Sequence, residues 1–225
     1  MILLKRSFNC DESFVLLDPG KQQVLAAKGS KDVYLIHKSN PKSGVSVLAT
    51  ISASGLILPP YIIYPYERTQ KWMAKDQMPP GFVNFSTKKG WMTVEAFSFW
   101  LLNQFVPELK RNKVQFPVML YLDGHRSHVH IEISEICSKN DTILICFPPN
   151  STHILQPCDV AFFKPLKGLW REKVSEWTSQ KPQNQVTMKN IAPLLHDVWQ
   201  KLPLKYGQNG FRACGLYPWN PEAVR

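Results

Sequence analysis

Phe116-Pro-Val-Met-Leu-Tyr-Leu122 runs directly into Asp123-Gly124-His125. So short and nearly continuous an apolar run suits a buried strand that starts around Pro117. A carboxylate at the carboxyl end of a buried strand stands where α/β sheets place ligands. An Asp-Gly turn accounts for the same residues equally well.

Working outward from that strand, His128 to Lys139 reads as a helix with Ile131, Ile136 and Cys137 on its apolar side, and Thr142 to Phe147 as a second buried strand closed by Pro148-Pro149. Upstream, Thr93 is placed to cap a helix running to about Val106, which carries Phe97, Trp100, Leu101 and Phe105, and Pro107 should end or kink it. Residues 66–91 read as irregular. The first 65 residues read as strands: Phe8 to Leu17, Gln23 to Ala26, Val33 to His37, and a hairpin of Val45 to Ser52 and Leu56 to Tyr64 around Ser54-Gly55. Pro59-Pro60 puts the second arm at an edge or a bulge. Downstream of Asp159, Pro165 fits N1 of a helix reaching about Trp177. Val186 to Leu202 is a last amphipathic segment, which Pro193 kinks or starts, and the stretch from Gly210 onward should wrap back on the domain. Antiparallel strands first and strand–helix alternation second predict an α/β protein with a mixed sheet and helices on its faces.

The 225 residues suit one domain, and 44% apolar residues suffice for a sizeable core, which excludes wholesale disorder. No apolar run reaches the ~18 residues of a membrane span, and Met1 to Arg6 has the character of neither a signal h-region nor a cleavage site. The net charge of +10 suits a polyanionic partner (DNA, RNA or an acidic membrane surface), although a soluble basic protein without such a partner has the same balance. Five cysteines without a CxxC pair form neither a disulfide framework nor a zinc ribbon, and imply a reducing compartment. Cys137, Cys146 and Cys214 read as small buried hydrophobes.

Three acids stand at element boundaries: Asp123, Asp159 in Leu155-Gln-Pro-Cys-Asp159, and Asp11 in Phe8-Asn-Cys-Asp11-Glu12. Asp159 could equally be a helix cap. Asp11 and Glu12, consecutive on a strand, must point to opposite faces. Carboxylates brought together in a basic protein suit two-metal phosphoryl transfer, because Mg²⁺ and Mn²⁺ prefer hard oxygen ligands and two ions clamp one reacting phosphate. His125, His128 and His130 permit a zinc reading, but no fourth ligand is spaced to match. His125 and His128 read better as groups orienting Asp123 or contacting phosphate, with His153 analogous near Asp159. Lys164, Lys167 and Arg171 form one basic helical stripe, either solvated or touching phosphate. The tryptophans read mainly as core.

Four separated motifs resemble the DDE superfamily endonucleases, in particular the pogo/Tigger-like transposases and the jerky-like and centromere protein B-like proteins derived from them. They are Asn9-Cys-Asp-Glu-Ser-Phe14, Leu122-Asp-Gly-His-Arg-Ser-His128, Phe147-Pro-Pro-Asn-Ser-Thr-His-Ile-Leu-Gln-Pro-Cys-Asp159 and Gly210-Phe-Arg-Ala-Cys-Gly-Leu-Tyr-Pro218, with 35 residues between Asp123 and Asp159. The resemblance implies a ribonuclease-H-like fold with a catalytic core over residues 1–180 and a helix and tail over 181–225 in the same domain. It implies fewer strands between Asp11 and Asp123 than the residue pattern suggests. Catalytic, metal-binding Asp11, Asp123 and Asp159 would hold two Mg²⁺ or Mn²⁺ ions. Glu12, His125, Arg126, His128, His153, Lys164, Lys167 and Arg171 are then supporting or DNA-contact residues. DNA is the expected partner, the nucleus the expected location, and a homodimer or a partner supplying an N-terminal DNA-binding module the expected assembly. There are three departures: Asn150 replaces an expected histidine, Cys158 an expected leucine, and Arg126 a small polar residue; the first two touch the loop of the third acid and bear on activity. With little sequence ahead of Asp11, a helix-turn-helix domain finds no room, so the chain reads as a fragment, a relic or one half of a pair. A catalytically silent, domesticated DNA- or chromatin-binding protein is the competing expectation. A carboxylate-pair glycosidase is a weaker one, since it leaves the basic charge unexplained.

Overall fold

Polar and apolar residues alternate from Ser7 to Cys10, and this period of two sets the first and central strand, β1 (Ser7–Leu16). The computed structural model describes residues 3–20, 43–180 and 183–224, so the strands expected at Gln23–Ala26 and Val33–His37 lie outside the described residues. β2 (Gly44–Ser52) is buried along its whole length and pairs antiparallel to β1, with Asp11 opposite Ala49 and Phe14 opposite Ser46. β3 (Tyr61–Pro65) runs antiparallel to β2, and β4 (Val83–Thr87) parallel to β3. On the other side of β1 lie β5 (Val118–Leu122) and then β6 (Thr142–Cys146), both parallel to it. The sheet order is β4-β3-β2-β1-β5-β6.

Two apolar layers cover the sheet. Phe8, Cys10, Leu48 and Leu120 meet Phe97, Trp100, Leu109 and Ile133 from α1 (Val94–Trp100), α2 (Val106–Arg111) and α3 (Ile131–Lys139). Beyond β6, the short α4 (Thr152–Leu155) leads to the opposite layer. There Val15, Val47 and Ala49 meet Leu166, Trp170, Leu195 and Phe211 from α5 (Phe163–Gln180), α6 (Ile191–Gln200) and α7 (Lys205–Ala213). Two indoles tie this layer to strand backbone: Trp170 Nε1 donates to Leu16 O at 2.8 Å and Trp199 Nε1 to Leu58 O at 2.9 Å.

The sheet and its flanking helices follow the sequence expectation, with five local corrections. Residues 66–91 are not wholly irregular, since Val83–Thr87 completes the sheet edge. Pro107 does not end the helix that Thr93 caps. A π-helical turn at Leu101–Phe105 precedes it and absorbs the missing N–H, so the helix resumes as α2. A second π turn, Cys158–Phe162, does the same for Pro165, so helical structure begins ahead of the expected N1 and takes in Asp159. The stretch around Gly210 is helical (α7), despite two glycines of low helix propensity. Those glycines are needed for close approach: a Cβ at Gly207 would fall 2.8 Å from Ser52 O, and one at Gly210 2.8 Å from Pro157 O. Finally, β6 is a half-solvated edge strand, and Cys146 at its end is exposed rather than buried.

Candidate active site

β1, β5 and β6 all run the same way, so their carboxyl ends open on one side of the sheet. β1 brings Asp11 there, facing the α5 layer. The end of β5 brings Asp123, and the π turn before α5 brings Asp159. Asp123 acts on both of the other acids, and Asp159 on Asp11. Burial raises the Asp11 carboxyl well above its ordinary value, and Glu12, Asp159 and Asp123 push it further, against one backbone hydrogen bond. Partial burial and Asp123 likewise raise Asp159, which Lys167 partly offsets. Asp11 is 9% exposed, accepts the Glu12 N–H at 2.8 Å, and has no ion-pair partner among the described residues. A buried carboxylate without a cationic partner is an oxygen donor of the kind a hard divalent cation takes. As the side chains stand, no three or more His, Cys, Asp or Glu residues among those described are arranged to hold one ion.

Asp123 is held from the other face of the sheet. His128, buried under the ring of Phe97 at 4.5 Å, donates from Nδ1 to Asp123 Oδ1 at 2.7 Å and from Nε2 to Glu12 Oε1 at 3.1 Å. Burial opposes its charge, but the two carboxylates outweigh burial and push its pKa up to about 10. The same hydrogen bond holds Asp123 below its usual value. Asp11 and Glu12 thus divide as strand alternation requires. Asp11 faces Asp159, and Glu12 faces His128.

A buried brace that the sequence reading missed joins all three acid-bearing segments. Asn9, fully buried, donates from Nδ2 to Gln156 Oε1 at 2.9 Å and to Tyr121 O at 3.0 Å, and its Oδ1 accepts the Cys158 N–H at 2.9 Å. Its position two residues before Asp11, on the same face of β1, was the available signal. Cys158 is itself fully buried beside Asn9. Asn150 adopts φ 62°, a left-handed conformation that asparagine tolerates better than most side chains.

The remaining candidates divide. His125 bonds Ser127 Oγ through Nδ1 at 2.6 Å, its backbone N–H donates to Asp123 Oδ1 at 3.2 Å, and its ring is exposed. His130 caps α3, so the three histidines do not converge as zinc would require. Arg126 and His153 are exposed on the loops carrying Asp123 and Asp159. Lys164 and Lys167 project into solvent from α5, while Arg171 is half-buried and donates from Nε to Lys167 O at 3.2 Å.

Comparison with known proteins settles the family. The model of the DDE superfamily endonuclease matches residues 42–211. The chain belongs to the DDE superfamily endonucleases. It is 26% identical over 170 residues to the human pogo transposable element with KRAB domain, covering 75% of this chain and 27% of that protein. It is also 25% identical over 181 residues to the Cochliobolus lunatus MFS-type transporter clz9, covering 80% and 20%. The chain therefore spans about a quarter of the length of these relatives. No helix among the described residues is long and apolar enough to cross a membrane. Among solved structures, the Mos1 transposase paired-end complex with left transposon end aligns with a TM-score of 0.65 at 13% identity, over 98% of this chain and 55% of that one. Mos1 paired-end complexes have also been solved with Mn and with Mg. This likeness establishes the ribonuclease-H-like fold.

Proposed function

We propose that this DDE domain is a divalent-metal-dependent DNA endonuclease and strand transferase acting by two-metal phosphoryl transfer. The observation that carries the proposal is positional: Asp11, buried and without an ion-pair partner among the described residues, and Asp123 lie two residues beyond the paired Asn9 and Tyr121 of adjacent parallel strands, at the end of the sheet to which the turn bearing Asp159 returns. These aspartates would hold two Mg²⁺ or Mn²⁺ ions. Such ions, when bound, activate the attacking water or 3′-hydroxyl and stabilise the leaving oxygen. The chain's own residues prepare the site. Asn9 fixes the three segments, His128 fixes the orientation of Asp123, and Lys167 favours the ionised form of Asp159. Lys164, Lys167 and Arg171 would lie along the DNA backbone, consistent with the +10 charge. The nucleus, as the compartment of that substrate, and a dimer able to join two DNA ends belong to the same proposal.

Purified chain incubated with supercoiled plasmid and Mn²⁺ should nick it, and Asp123→Asn should not. A second reading, a catalytically silent DNA-binding domain, draws support from Asp123 Oδ1 being engaged by His128. That reading gains if parent and variant behave alike while both bind DNA in a salt-dependent way.

A further inference from the structure

Most tryptophans follow the core expectation, and Trp91 does not. It is 66% exposed, at the end of the turn Lys88-Lys89-Gly90 between β4 and α1. The turn is rigidly built. Gly90 N–H donates to Thr87 O at 3.0 Å, Thr87 Oγ1 donates to Trp91 O at 3.0 Å, and Ser46 Oγ donates to Gly90 O at 2.7 Å. Gly90 has φ 70° and lies so close to Pro65 that a Cβ would stand 3.0 Å from the proline Cβ. Exposing a large apolar ring costs free energy, and here a fixed scaffold holds it out.

The strand register locates it. β3 and β4 point the same way as β1, so the turn after β4 opens at the end of the sheet that carries the three aspartates. Ser46, which holds the turn, pairs with Phe14, and Phe14 is itself 44% exposed. Phe14 lies two residues beyond Glu12 on the same face of β1, roughly 7 Å along the strand. Two exposed aromatic side chains, Phe14 and Trp91, thus continue outward from the Asp123–His128–Glu12 cluster. The charge is of one kind on the turn itself. Lys89 Nζ stands 6.0 Å from the Trp91 ring centroid, and Lys88, whose side chain is 80% exposed, reaches Glu67 at 3.2 Å.

We propose that Phe14 and Trp91 form a stacking ledge for unpaired nucleotides of the DNA strand leaving the carboxylate pocket, with Lys88 and Lys89 beside its phosphates. Aromatic rings flanked by lysines are the chemistry that binds single strands, since every base has a π face and every phosphate a charge. The proposal rests on DNA being the substrate, but it does not need catalysis.

The test measures fluorescence anisotropy of a labelled single-stranded oligonucleotide, and of the matching duplex, in EDTA so that only binding is read. Trp91→Ala should weaken single-strand binding about tenfold and duplex binding less than about twofold. Trp91→Phe should retain most of the affinity. Trp219→Ala, which removes a tryptophan 75% exposed in the C-terminal segment, should change neither. Equal losses on both DNAs, no loss on either, or a parent chain that does not bind single strands overturns the ledge. A chain that nicks no plasmid yet shows this Trp91 dependence refutes the nuclease reading alone. Nicking without that dependence refutes the ledge alone.

Discussion

The side-chain oxygen of Asn9 accepts the backbone N–H of Cys158 at 2.9 Å, across 149 residues of sequence. Through this contact and those to Gln156 and Tyr121, the strand bearing Asp11 fixes where Asp123 and Asp159 stand. Asn9→Ala leaves the buried Cys158 N–H, the Gln156 amide oxygen and the Tyr121 carbonyl without these partners. The expected loss is about 2–3 kcal/mol in urea unfolding. Asn9→Asp restores the acceptor for Cys158 but turns a donor towards two oxygens into a repelled charge, so it should be no more stable than Asn9→Ala.

His128 makes stability depend on pH in a definite direction. Its pKa is raised from 6.5 to about 10 in the folded chain. Its contribution is therefore fully present below pH 6.5 and is lost as the pH rises through about 10. In EDTA, the melting temperature of the parent should fall across this interval, and that of His128→Asn should fall less. At neutral pH the variant should be less stable by about 2–3 kcal/mol, the scale of charge-assisted hydrogen bonds whose acceptors are partly solvated.

Two glycine substitutions should act with opposite sign. Gly210→Ala drives a methyl group to 2.8 Å from Pro157 O, two residues from Asp159, and should cost about 1–3 kcal/mol. Gly168→Ala, inside α5 with nothing within 4 Å of the new carbon, should stabilise by about 0.5–1 kcal/mol. Thermal denaturation of the two variants checks both.

If α5 lies along DNA, replacing Lys164, Lys167 and Arg171 by Gln should weaken binding irrespective of sequence. The slope of log affinity against log salt should shallow by about one for each phosphate that is no longer neutralised. Unchanged slopes would place the DNA on another surface.

Much of this fold was legible because its signals are local. Thr93 accepts the Ala96 N–H as a cap should, and the apolar run before Asp123 is a strand. Asp123 and Asp159 could be picked out because each stands at an element boundary, whereas Asp11 lies within β1 rather than at the strand end expected of it. What escaped depends on distant partners. Pro107 read as the end or kink of one helix and Pro165 as the start of another, yet a π turn ahead of each lets helical structure run through it. The stretch from Gly210 onward read only as a tail wrapping back on the domain, although Gly207 and Gly210 approach β2 and Pro157 from within a helix. Cys146 looked buried because nothing local says that β6 is the last strand. Asn9 carries no motif beyond its offset from Asp11, and its importance comes from what the chain returns to it at Gln156 and Cys158.

The central claim is that Asp11, Asp123 and Asp159 together bind divalent cations. Isothermal titration of the purified chain with Mn²⁺ tests it most directly, beside Asp11→Asn, Asp123→Asn and Asp159→Asn variants shown by circular dichroism to be folded. We expect two Mn²⁺ ions bound by the parent, and a loss of at least one of them, or a drop of tenfold or more in affinity, in every variant. Undiminished Mn²⁺ binding in any one of the three variants, or none in the parent, would contradict the account.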